Sequence, residues 1–135
     1  MKKIMRRLGG AAAALGVLWA LAHAQAARFQ YHGLINRVIT PNNDGRNDVA
    51  IVCFDNFADA SIVGTLYSPL GSEVGKMTLQ DPASAGCTTA FPGDSKPQSL
   101  TWDGRAGGAV VSSGIYIYKI RTELQLFTGA LLVVR

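Results

Sequence analysis

An all-β chain, folded as an immunoglobulin-like antiparallel β-sandwich of about seven strands, is what three features of the sequence predict. Short runs rich in Val, Ile, Thr, Tyr and Phe either alternate in polarity or stay apolar throughout. Clusters of Gly, Pro, Asn, Asp and Ser punctuate them. Beyond residue 26, no stretch carries the i, i+3, i+4 apolar spacing of a long amphipathic helix.

The elements follow in chain order. Residues 49–55 form the first clear strand, with Val49, Ile51 and Cys53 on one face and Ala50, Val52 and Phe54 on the other. Residues 61–68 form a second, in which Ile62, Gly64 and Leu66 oppose Val63, Thr65 and Tyr67. Pro69, Leu70, Gly71 and Ser72 make a turn, and residues 73–80 return as the hairpin partner. The stretch 81–97, rich in Pro, Gly, Ser and Ala, predicts a long irregular connection. Order resumes at 98–103, and Ser112, Ser113 and Gly114 punctuate the chain again. Residues 115–122 form the plainest strand, with Ile115 and Ile117 on one side and Tyr116, Tyr118 and Ile120 on the other. A turn near Glu123, Leu124 and Gln125 leads into the last strand, 127–135, which pairs with it. Two short sheets that must each bury a face predict a sandwich; a small barrel is the alternative.

The amino terminus predicts export. Lys2, Lys3, Arg6 and Arg7 precede an apolar run from Leu8 to Ala22, and small residues alternate at Ala22, Ala24 and Ala26. A basic start, an apolar stretch of roughly 15 residues and an Ala-x-Ala exit are the parts of a secretory signal peptide. We therefore divide the chain into a signal peptide (1–26, cut after Ala24 or Ala26), a leader (27–36) and a domain (37–135). The destination is the periplasm, the outer surface or the medium. The alternation Phe29, Gln30, Tyr31 suggests that the leader donates a strand to a neighbouring subunit.

Cleavage changes the electrostatics. The chain carries 13 Lys and Arg against 9 Asp and Glu. Four of those basic residues lie in the signal, which leaves nine against nine and no visible basic patch for nucleic acid. The two cysteines, Cys53 and Cys87, would travel to a compartment where disulfides persist, and we expect them to be bonded. Two free buried thiols or a metal pair are the alternatives, though two cysteines without a CxxC spacing and with a single histidine beyond the signal make a poor zinc site.

The most distinctive segment is Thr40-Pro41-Asn42-Asn43-Asp44-Gly45-Arg46-Asn47-Asp48. Oxygen-bearing side chains around a glycine are what calcium loops use, and Asn42, Asp44 and Asp48, helped by backbone carbonyls and Asp103, are the candidate ligands. The same residues are also good turn formers. Other chemistry is sparse. His32 is the one histidine after residue 26 and reads as a surface residue. No serine sits in a nucleophile elbow, and neither a phosphate loop nor a dinucleotide fingerprint is present. The carboxylates fall largely in turns beside Gly, Asn or Pro, so no enzyme is expected. Trp102 reads as a core or hairpin-covering residue rather than a sugar platform.

Five motifs in order resemble those of the bacterial gliding-motility-associated C-terminal domain and the related immunoglobulin-like domain of flagellar hook-capping proteins. Residues 39–48 resemble the "TPNGDGxND" opening, with Asn43 in place of the family's Gly. Residues 66–74 resemble the "IYDxxGxxV" hairpin, and 100–105 the "WDGxD" turn. Residues 111–121 resemble the "vpsGxYxYxI" strand, and the chain end resembles the family's last strand. The likeness spans about residues 37 to 135 and implies a sandwich fold. It also implies a sorting signal for type IX secretion, ordinarily appended to a long exported protein. The cysteine pair is not a general feature of that family.

The residues point to an exported, non-enzymatic protein-interaction or anchoring module of the cell envelope or exterior. A type IX sorting domain and a calcium-stabilised surface adhesion domain are the alternatives. The expected partner is a protein in the envelope or at the cell surface. Neither nucleic acid nor a small-molecule substrate is expected, and no cofactor beyond possible calcium.

Overall fold

The computed structural model describes residues 29–135; the expected signal peptide and the first two leader residues lie outside the described residues. The described chain is an all-β sandwich. One layer is a four-stranded sheet in the order β1 (Gln30–Leu34), β3 (Ala50–Asp55), β7 (Pro97–Trp102) and β6 (Thr78–Gln80). The other is a five-stranded sheet in the order β2 (Val38–Ile39), β11 (Leu126–Val133), β10 (Gly114–Arg121), β4 (Val63–Tyr67) and β5 (Glu73–Lys76). A small hairpin, β8 (Arg105–Ala106) with β9 (Ala109–Val110), caps one end.

Alternation decides which side of each strand meets the core. On β3 the inward set is Ala50, Val52 and Phe54, and on β7 it includes Leu100 and Trp102. Across the gap, Leu66 from β4, Tyr116, Tyr118 and Ile120 from β10, and Leu131 and Val133 from β11 complete one contiguous core. Burying a side chain such as Phe54 or Leu66 completely stabilises by about 1.5–3 kcal/mol. The tyrosine side of β10, and not the isoleucine side, faces inward because both hydroxyls find partners there. The Tyr116 hydroxyl donates to the Ser112 carbonyl at 2.8 Å, and the Tyr118 hydroxyl bonds that of Tyr31 at 2.8 Å.

Several expectations change. Nine strands, not about seven, fill the two main sheets, and one pairing, β2 with β11, is parallel. Residues 73–80 are not one returning strand. They split at Met77, so that β5 pairs with β4 in one sheet while β6 pairs with β7 in the other. The buried Met77 side chain packs against Gly64 at the crossing. The connection after β6 is not wholly irregular either, for it contains a short helix, α1 (Ala85–Ala90). Its Cys87 is bonded to Cys53 on β3 across a sequence separation of 34. In the chain-entropy account, closing a loop of about that size stabilises by about 4 kcal/mol.

Residues 30–34, expected in the leader, form β1 and pair antiparallel with β3 of the same chain. The register shifts between Tyr31 and Gly33, leaving His32 as the extra residue of a bulge. Bulges re-aim side chains in this way. None of the described helices is long and apolar enough to cross a membrane.

Candidate functional site

The loop between β2 and β3 brings the candidate calcium ligands together, but as the ends of backbone hydrogen bonds. Asp48 accepts from three backbone N–H groups: Asn42 at 3.2 Å, Asn43 at 2.8 Å and Gly45 at 2.8 Å. Asp44 accepts from the Arg46 N–H at 2.8 Å, and Asn42 from the Asp44 N–H at 3.1 Å, each a side chain bonding its backbone two residues on. Such turns suit Asn and Asp, which also tolerate the left-handed φ seen at Asn43 (60°) and Asn47 (51°). The amides thus converge on an anion that the loop itself supplies. Asp103 holds its own turn, accepting from the Arg105 N–H at 3.1 Å. Among the described residues, no group of three or more His, Cys, Asp or Glu side chains is arranged to hold a metal ion.

The opening motif and the Trp-Asp-Gly turn, far apart in sequence, meet in space. A Cβ at Gly104 would lie 2.8 Å from the Pro41 ring, so only glycine lets the two turns touch. Trp102 is buried in the core, tilted against Tyr116 with ring centroids 5.6 Å apart, and its indole N–H donates to the Arg105 carbonyl at 3.0 Å. It therefore covers the β8–β9 hairpin and offers no open ring face for a sugar.

His32 is not a free surface residue. Its Nε2 lies 2.8 and 3.0 Å from the two carboxylate oxygens of Asp94, with the side chains only 10% and 8% exposed. Its ring stacks on Phe91 at 3.9 Å. Asp55 is buried beside this pair and accepts from the N–H groups of Ser95 at 2.9 Å and Lys96 at 2.8 Å. Ser99 meets Ser84 in the same layer. These contacts fasten the β6–β7 connection over the outer face of the four-stranded sheet. The polar groups of this cluster are engaged in that fastening.

Tyr31 and Glu123 are perturbed as well. Burial, reinforced by the bond to Tyr118, pushes the Tyr31 phenol well above its ordinary range. The Ser61 N–H holds the Glu123 carboxyl below the usual range for a glutamate. Glu123 borders a cleft of about 580 Å³ between the β3–β4 and β10–β11 turns, which Phe29, Ala58, Ala60 and Leu124 also line.

The five-stranded sheet is different on its outer face, where nothing in the described chain covers it. Register places Val38, Leu132 and Ile115 side by side there, 43%, 38% and 56% exposed. The next row holds Ala130, Ile117 and Tyr67, and the one after it Thr128, Lys119 and Thr65. The last sets Leu126, Arg121 and Val63 together. The Lys119 ammonium lies 5.0 Å from the centre of the Tyr67 ring. Lys76 on β5 pairs with Thr65 and extends the basic row to the sheet edge. Composition showed a charge balance and no patch; the fold collects three cations on one face. The signal that could have found them is the alternation itself, since Lys119 and Arg121 share the odd-numbered side of β10 with Ile115 and Ile117.

No family model, curated protein or solved structure matches the chain.

Proposed function

We propose that the protein is an exported, non-enzymatic module that anchors or docks in the cell envelope or outside the cell. The observation that carries this reading is the uncovered outer face of the five-stranded sheet, where exposed aliphatic residues lie in contiguous rows on a domain whose other polar clusters serve its own folding. Exposed apolar patches of this kind mark interaction surfaces. The bonded cysteines support an oxidising compartment, and the charged, apolar, small-residue order of residues 2–26 supports export.

The test is expression of the whole chain with a carboxy-terminal tag in a Gram-negative host, followed by fractionation and amino-terminal sequencing. The expected product begins at Gln25 or Ala27, carries no free thiol and is recovered from the envelope or medium. An intact, reduced chain in the cytoplasm would overturn the reading.

A further inference from the structure

We infer that the outer face of the five-stranded sheet docks on an anionic lipid surface, with its aliphatic residues against the headgroup–acyl boundary and its cations among the lipid phosphates. This deepens the proposed function and rests on it, since it names what an envelope module would be anchored to.

Three observations carry the inference. The first is the mixture on the face. Lys76, Lys119 and Arg121 stand among exposed Val38, Val63, Ile115, Leu126 and Leu132. Aliphatic side chains next to Lys and Arg are what interfacial binding uses, one set entering the headgroup region and the other meeting anionic headgroups. Nucleic acid would need a strongly basic domain, and the described residues carry more Asp and Glu than Lys and Arg.

The second is the distribution of charge. Residues 29–135 hold eight Lys and Arg against nine Asp and Glu, so the described domain carries one net negative charge. Yet Lys76, Lys119 and Arg121 occupy this face, and Arg37 and Arg135 flank it, one beside Val38 and the other beside Val134. The carboxylate on the face is Glu73, at the sheet edge, 3.8 Å from Lys76. The others lie in turns, in the Asn/Asp loop or under the β6–β7 connection. The domain is therefore polarised, and the basic pole coincides with the apolar one. Stacking two such faces with their rows in line would set cation against cation, which disfavours a second copy in that arrangement.

The third is shape. Five paired strands make one broad, continuous face from which alternate residues project. Protein partners anchor their strongest contacts in pockets, and small ligands need concavity. A bilayer surface needs neither. It requires a broad face with apolar and cationic side chains at one level, which a sheet provides because alternate residues project to the same side.

The experiment uses protein expressed from the full chain and purified in the form the cell leaves. It is sedimented with vesicles of phosphatidylcholine alone and of phosphatidylcholine mixed with phosphatidylglycerol. Expected is partition into the mixed vesicles that falls as salt is raised. A Lys119→Glu/Arg121→Glu variant should lower it by about tenfold or more, given the usual gain per basic residue near an anionic surface. Ile115→Ser/Leu132→Ser should also lower it, whereas Lys119→Arg/Arg121→Lys should keep it. All four positions are exposed, and the salt dependence of the unmutated protein gives a reading independent of any variant. Absent partition overturns the inference, as does equal partition into both vesicle types that the charge reversal leaves unchanged. A dimer in sedimentation equilibrium, dispersed by Ile115→Ser/Leu132→Ser, would assign the face to a second copy and equally overturn it. Failed partition of a protein that is still exported and envelope-bound removes the lipid and leaves the module. Cytoplasmic retention removes the export reading, while vesicle partition still decides the lipid.

Discussion

On the four-stranded sheet the outward residues Cys53, Asp55 and Ser99 are almost wholly buried, whereas on the five-stranded sheet the outward Val38, Ile115, Leu126 and Leu132 stand open. The first face carries a disulfide-bonded cysteine, a carboxylate and a hydroxyl, the side chains that bond a covering segment. Its cover is the β6–β7 connection, held by the disulfide, by Asp55 and by the His32–Asp94 pair. The second face carries aliphatic chains and cations, which have no such partners in the described chain. Polarity is thus inverted from the usual expectation, with polar outward residues covered and apolar ones bare. A fold can bury polar groups cheaply when each is bonded. Leaving aliphatic rows in water calls for a partner to cover them.

The comparison can be broken first at its strongest point. A Cys53→Ser/Cys87→Ser variant should lose about 4 kcal/mol in the chain-entropy account. For a domain near 100 residues, that loss lowers the melting temperature by roughly 20 °C. Thermal unfolding of the variant, beside the parent with and without reductant, checks it. A shift of only a few degrees would mean that the noncovalent contacts hold the cover by themselves.

Next in size is Gly129→Ala, on the inner side of the bare sheet. Gly129 pairs with Tyr118, and a Cβ there would overlap the phenol ring. Overpacking should cost about 2 kcal/mol, read in urea unfolding. A neutral result would show that the bare sheet is loosely packed inside as well, and would weaken the contrast between its two sides.

How much of this was legible in the sequence depended on the element. β3, β10 and β11 were readable because their alternation is long and uninterrupted. The sides of β10 were also separable, but periodicity alone did not tell which pointed inward; the partners of the two tyrosine hydroxyls decided that. The start of β1 was readable as a strand from the alternation at residues 29–31, but its partner in the same chain was not, because the bulge at His32 breaks the period. α1 left no helical signature, being six residues long with Ser84 at its N-cap bonded to Ser99 and not to the helix. The split at Met77 was invisible, since both halves keep strand character and only pairing distinguishes them. At the candidate site, the cysteine pair was legible from compartment and count. The Asn/Asp loop was legible as a turn, but not which backbone amides its oxygens would meet, because composition does not order those contacts. His32 lacked any local signal, since Asp94 and Phe91 lie about 60 residues away in sequence.

That loop supplies the third test. Asp48→Ala frees three backbone N–H groups and should cost about 1 kcal/mol or somewhat more, net of solvent. Faster amide exchange at Asn43 and Gly45 should localise the loss. Millimolar calcium should leave the melting temperature of the parent unchanged. A rise that Asp44→Ala/Asp48→Ala removes would make the loop a metal site.

The smallest effect is expected on the bare face. Ile115→Thr/Leu132→Thr should alter stability by no more than about 0.5 kcal/mol per position, measured in the same urea series. A loss of several kcal/mol would mean that the face belongs to the folding core and is not held in reserve for docking.

The crossing at Met77 has a consequence for how the molecule comes apart. Residues 73–76 are stitched to β4 and residues 78–80 to β7, with the Met77 N–H donating to the Gly64 carbonyl at 2.9 Å between them. A sandwich whose layers share no strand can lose one layer while the other persists. Here a single continuous ribbon is sewn into both, so peeling either layer drags on its opposite. The slowest-exchanging amides of the two layers should then open together, as one event with one free energy, and a load applied to one layer should be borne by both.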